Sequence, residues 1–192
     1  MFKNQTFHIL RFLIVFLALT FLCYCYIGII SPGGKTYSSS LDQYANFPAW
    51  LTYFICKCAK GLLELIGYNV YQKKPNNITI HGSRGVNIIW ACLGFGVMSF
   101  WVAFVVAHYA KWLYKLKWVL AGIALITGIN ILRIALIALA LHSDWKAFIA
   151  VEPHFAFNVV SYIAIILLAF WFTLQYKRHK EREIKNLQPV SV

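Results

Sequence analysis

Ala121-Gly-Ile-Ala-Leu-Ile-Thr-Gly-Ile-Asn130-Ile-Leu-Arg133-Ile-Ala-Leu-Ile-Ala-Leu-Ala140 is twenty residues long and carries one charge. That is the length a helix needs to cross a bilayer. An arginine inside such a run costs about 2.5–3.5 kcal/mol even on lenient insertion scales. Something must offset the cost. Such a run belongs to a bundle of membrane helices, and Arg133 is its one chemical exception.

The rest of the chain agrees. Of its 192 residues, 60% are apolar and 12% charged, against about 25% charged in soluble domains. The length allows one membrane domain, 1–192. The formal charge is +12, but the basic residues flank apolar runs. They read as topology signals and contacts to anionic membrane lipid, not as a nucleic-acid surface.

Four runs qualify as spans: 9–30, 88–110, 118–141 and 155–176. The first follows Lys3 and Arg11, is too long for a cleaved signal core, and reads as a signal-anchor helix. Residues 88–176 form a three-helix core, and 177–192 a basic cytoplasmic tail. Short basic segments at 111–117 and 177–185 lie beside span ends, so both are expected in the cytoplasm. The start of the second span, the end of the third and the start of the fourth then face outward. Cys92 and His154 meet there. Arg133, about eight residues from the outer end of its helix, sits about 12 Å deep.

Residues 50–70 place Lys57, Lys60, Gly61 and Glu64 on one helical face, with Trp50, Phe54, Leu62, Leu65 and Ile66 around the remainder. They form an amphipathic helix in the interface or a fifth span. The alternation at Ile78 and Ile80, with turn residues at 82–85 before Val86 and Ile88, predicts a small extracytoplasmic hairpin just before Cys92. The expected fold is an all-α integral membrane protein. It has about four transmembrane helices, one amphipathic or fifth helix, and that hairpin.

The five cysteines are Cys23, Cys25, Cys56, Cys58 and Cys92. They include no C-x-x-C pair and no zinc spacing, and no cofactor or metal is expected. A cysteine attacks as the thiolate, which apolar surroundings disfavour, so a nucleophile at a bilayer surface requires a basic or cationic neighbour. His154 can take the proton. Arg133 cannot lose its own and suits an oxyanion or a substrate carbonyl. Asn130, one turn before Arg133, shares its face and can support the arginine or donate to substrate. Glu152 is the alternative partner for Arg133, in a structural ion pair.

Ala91-Cys92-Leu-Gly94 at a span start, Asn130-Ile-Leu-Arg133-Ile134 in the next span and His154 at the opening of the last resemble the exosortase/archaeosortase family, of which this chain is similar to a short-form member. The resemblance implies a multi-pass enzyme of the cytoplasmic (inner) membrane with its active site on the extracytoplasmic side. It implies Cys92 as nucleophile, Arg133 as the arginine binding substrate or transition state, and His154 as general acid/base. The implied partners are exported proteins ending in a short motif, an apolar helix and a basic tail. Cleavage at the motif would pass them to a lipid or other surface acceptor. Two other readings make different predictions. A four-span thiol oxidoreductase would pair Cys56 or Cys58 with Cys92. A non-enzymatic membrane assembly protein would pair Arg133 with Glu152.

Overall fold

The computed structural model describes residues 2–143 and 153–187. It is mostly helical, at 76%. The elements are α1 (Phe2–Ile30), α2 (Ser39–Ala45), α3 (Phe47–Leu65), β1 (Val70–Tyr71), β2 (Asn77–Ile80), β3 (Val86–Asn87), a 3₁₀ turn (Trp90–Leu93), α4 (Phe95–Ala107), α5 (Trp112–His142) and α6 (Pro153–Leu187). Among the described residues, two helical stretches are long and apolar enough to cross a membrane, Thr6–Ile30 and Trp112–His142.

Ring contacts set the helix directions. His8 stacks edge-on against Tyr109 at 4.7 Å, and Phe12 and Phe16 flank Phe100 at 5.4 and 6.1 Å. Helix α1 therefore runs antiparallel to α4, with its N-terminus beside the α4–α5 connection. Tyr114 meets His179 at 4.4 Å and Trp118 meets Trp171 at 5.1 Å, so α6 runs antiparallel to α5. Arg11, the 111–117 segment and the basic stretch of α6 gather at this one end of the bundle. The Cys92 turn occupies the other.

The second apolar run differs from its expectation. Its helix is only Phe95–Ala107, thirteen residues, about 20 Å at 1.5 Å per residue. Gly94 has φ +77°, a left-handed conformation that L side chains rarely adopt, and it separates the 3₁₀ turn from α4. Cys92 thus sits on a turn before a short helix, not inside a long one.

Residues 50–70 differ too. The buried stripe of α3 is Thr52, Ile55, Cys56, Ala59 and Leu63, at helical spacing. Trp50, Phe54, Leu65 and Ile66 stay exposed. Phe47 lies tilted against Phe95, and Tyr68, just past α3, meets His142 edge-on at 5.6 Å. The helix therefore stands along the second half of α5. Over it lies a three-stranded antiparallel sheet in the order β1-β2-β3, with Val70 opposite Ile80 and Ile78 opposite Val86. The 82–85 turn joins β2 to β3 as the alternation predicts, while β1 extends the hairpin to three strands.

Two cores result. Ile55, Leu63, Ile78, Val86, Ile88 and Leu93 pack with Ile134, Ile137 and Ala138 at the Cys92 end. Trp101, Val105, Ile126, Leu168 and Phe172 pack between α4, α5 and α6 toward the basic end. At the joint of α4 and α5, a Cβ on Gly122 would lie 1.8 Å from the Trp101 ring nitrogen. Only glycine allows that approach.

Candidate functional site

The chain enters the site from the sheet. Ile89 is extended, and the Cys92 N–H donates to the Ile89 carbonyl at 2.8 Å, closing the 3₁₀ turn. Gly94 reverses the backbone, and α4 begins with the Met98 N–H donating to the Gly94 carbonyl at 2.9 Å. Cys92 is half-buried and free, at the edge of the aliphatic core.

Helix α5 fastens this turn. The Asn130 side-chain N–H donates to the Leu93 carbonyl at 2.9 Å, and Asn130 is buried. A Cβ on Gly94 would come within 2.8 Å of the same amide nitrogen. Glycine at 94 thus serves both the backbone reversal and the close approach of Asn130. The contact seen for Asn130 is with the Leu93 carbonyl. Its side chain holds the turn that carries Cys92, a partner no local pattern reveals because 37 residues separate the two.

Arg133 lies three residues further along α5, on the face that carries Asn130 and one turn closer to the Cys92 end of the helix. It is half-buried, and among the described residues its buried Nε has no hydrogen-bond partner. Leaving a buried donor unpaired costs about 1–3 kcal/mol, more for a charged group. The second half of α5 packs against α3 and the sheet through Ile134, Ala135, Ile137 and Ala138, next to this arginine in the helix.

His154 falls in the first turn of α6, directly after Pro153. The antiparallel register of α5 and α6 brings this turn to the end of the bundle that holds Cys92. Its side chain lies outside the described residues, as does Glu152. The structure therefore joins the Cys92 turn to Asn130, places Arg133 one turn from Asn130, and brings the backbone of His154 to the same end.

All five cysteines are free. Cys56 is fully buried in α3, and burial pushes its thiol up to about 11, far from the thiolate that exchange chemistry uses. Among the described residues, no group of three His, Cys, Asp or Glu side chains stands close enough to hold a metal ion.

A helical bundle with apolar helices long enough to cross a bilayer, and a cysteine-bearing turn tied to one of them through Asn130, has the make-up of an integral membrane protein. The family model described as transmembrane exosortase (Exosortase_EpsH) matches residues 37–171. That is well over half of the chain, which belongs to the exosortase family of membrane-embedded enzymes that process sorting signals. Neither the curated proteins nor the solved structures contain a match.

Proposed function

We propose that this protein is a membrane-embedded cysteine transpeptidase that cleaves C-terminal sorting signals of exported proteins. Cys92 attacks the peptide carbonyl at the motif. Arg133 holds the developing oxyanion or the substrate carbonyl, and His154 moves the proton between thiol and leaving amine. The peptide C–N bond breaks, and the apolar helix and basic tail leave with the new amine. The N-terminal part remains as a thioester on Cys92, which an acceptor or water then resolves.

The observation that carries this reading is the Asn130–Leu93 hydrogen bond. It ties the turn bearing the nucleophile to the helix bearing Arg133, whose Nε has no partner among the described residues. A substrate oxyanion is the partner such a donor lacks. The alignment of α1 against α4 and the basic residues at the opposite end support a cytoplasmic basic end. Cys92 then lies at the extracytoplasmic face of the cytoplasmic membrane, within four spans.

The test is mass spectrometry of surface-protein C-termini in cells carrying the native enzyme or Cys92→Ala. A set of proteins should keep its apolar C-terminal helix only in the variant, with the variant present at normal level. Matching profiles would sink the mechanism.

A further inference from the structure

A cavity of about 180 Å³ lies between α5 and α6 at the basic end of the bundle. Tyr114 and Trp118, one turn apart on α5, form its aromatic side. Gln175, Arg178, His179 and Arg182 line it from α6. Their spacing puts all four on one face of that helix. The two arginines are one turn apart, so like charges stand over one another. That arrangement destabilises a helix, and an anion between them relieves it. Among the described residues neither arginine has an ion-pair partner. Across residues 175–185, Lys177, Arg178, Lys180, Arg182 and Lys185 outnumber Glu181 and Glu183.

The level of the cavity is set by its neighbours. Exposed apolar side chains follow α6 through Ile163, Ile166, Leu167, Phe170 and Leu174. Exposed Lys177, Arg178 and Lys180 come next. Trp171 meets Trp118 at 5.1 Å near this change, as aromatic residues do where hydrocarbon gives way to headgroups. Trp171 and Leu174 share the helical face of Arg178. Arg178 lies about 10 Å beyond Trp171 along the axis, at 1.5 Å per residue. The cavity therefore opens at headgroup depth, above an apolar stripe of the same face.

We infer that this cavity seats the phosphate of an anionic phospholipid, bridging α5 and α6. The guanidinium fork matches phosphate oxygens two at a time, which an ammonium cannot do, and Gln175 adds a neutral donor. Basic pockets between membrane helices suit such headgroups. The volume is below the roughly 300–1,000 Å³ of pockets that enclose a drug-sized ligand, so it suits a phosphodiester and not a nucleotide. The apolar stripe favours a lipid over a free phosphate, because acyl chains bury against Trp171 and Leu174. A ligand that binds only the folded bundle stabilises it, and the lipid thereby holds α6 against α5. Lipid binding here is independent of the chemistry proposed at Cys92.

The experiment places the full chain in phosphatidylcholine nanodiscs and replaces that lipid stepwise with phosphatidylglycerol. Both lipids carry a phosphate, but only phosphatidylglycerol has a net negative charge. The melting temperature of the native chain should rise with phosphatidylglycerol and then saturate. Arg178→Gln and Arg182→Gln should each raise the half-saturating fraction about fivefold, the worth of one basic residue near a lipid surface. Lys180→Gln removes the same charge outside the cavity and should shift it less than twofold. Native mass spectrometry should find a phosphatidylglycerol retained by the native chain and by Lys180→Gln, and lost when both arginines are replaced. Equal shifts in all three variants would mean diffuse attraction to the membrane surface and would overturn the site, as would a lipid response unchanged in both arginine variants. Inorganic phosphate, added to phosphatidylcholine discs, should leave the melting temperature where it was. A rise matching that with phosphatidylglycerol would make the ligand a free anion and overturn the lipid.

Discussion

The two ends of the bundle are packed by different chemistry. Toward the basic end the core is aromatic, and its polar groups are tied to neighbouring backbone. The Trp101 ring N–H donates to the Trp118 carbonyl at 3.1 Å, Lys115 to the Val106 carbonyl at 3.2 Å, and the Tyr176 hydroxyl to the Tyr109 carbonyl at 2.9 Å. The buried Tyr114 hydroxyl is the exception. At the Cys92 end the core is aliphatic. One buried side-chain bond, Asn130 to Leu93, fixes the turn, while Arg133 Nε and Thr20 Oγ1 stay unpaired among the described residues. The difference separates a frame from a site. Groups satisfied in the resting structure hold the helices, and in the proposed function Arg133 Nε is the group that a substrate meets.

The largest effect is expected at Arg133. Arg133→Met removes a donor that has no partner among the described residues, so thermal stability in detergent should stay level or rise. Sorting-signal cleavage should fall about 10²–10³-fold, the effect of losing one oxyanion donor. A large loss of stability would instead make Arg133 a structural ion-pair partner. Gly122 tests the frame. Gly122→Ala drives a methyl into the Trp101 ring, whose nearest atoms would lie at 1.8 and 2.2 Å. Overpacking of this kind costs about 1–3 kcal/mol. The melting temperature should drop, while turnover per folded molecule stays near native.

How much of this was legible before the fold is visible residue by residue. Cys92, Arg133 and His154 stand out because the thiol and the charge interrupt apolar runs, and the order of the three motifs marks the family. The hairpin is readable because strand alternation survives next to turn residues. The buried face of α3 is not. Both its environments accept apolar side chains, so size and shape replace polarity as the sorting rule. Small Ala59, Cys56 and Thr52 go inward, letting α3 and α5 approach closely, and bulky Trp50 and Phe54 go outward. The 3₁₀ turn is hidden for a similar reason: Gly94 sits in an unbroken apolar stretch, and its φ is a property of the packed turn. The role of Asn130 depends on a contact between distant segments.

Asn130 sharpens the boundary between frame and site. Asn130→Asp keeps the shape but removes the N–H that reaches the Leu93 carbonyl, leaving oxygen facing oxygen. Such a loss costs about 1–3 kcal/mol. Its effect should fall on the Cys92 turn, with cleavage reduced about tenfold or more and the aromatic core intact. Near-ultraviolet circular dichroism reports that core, and a spectrum matching the native one with cleavage lost is the expected result. A collapsed spectrum would mean that the bond supports the whole bundle.

The smallest effect is expected on the outer face of α3. Lys60 and Glu64 are partly exposed and 3.6 Å apart, one turn apart on the helix. A pair of this kind contributes about 0.3–0.5 kcal/mol, and salt screens it. Lys60→Met should therefore shift stability by less than can be resolved at physiological ionic strength. Cleavage should be unchanged as well, because the buried stripe of α3, not its charged face, supports the sheet and the Cys92 turn. A clear fall in cleavage with stability unchanged would give this face a part in recognising the substrate, extending the site from the Cys92 turn across α3 and leaving only the aromatic end as frame.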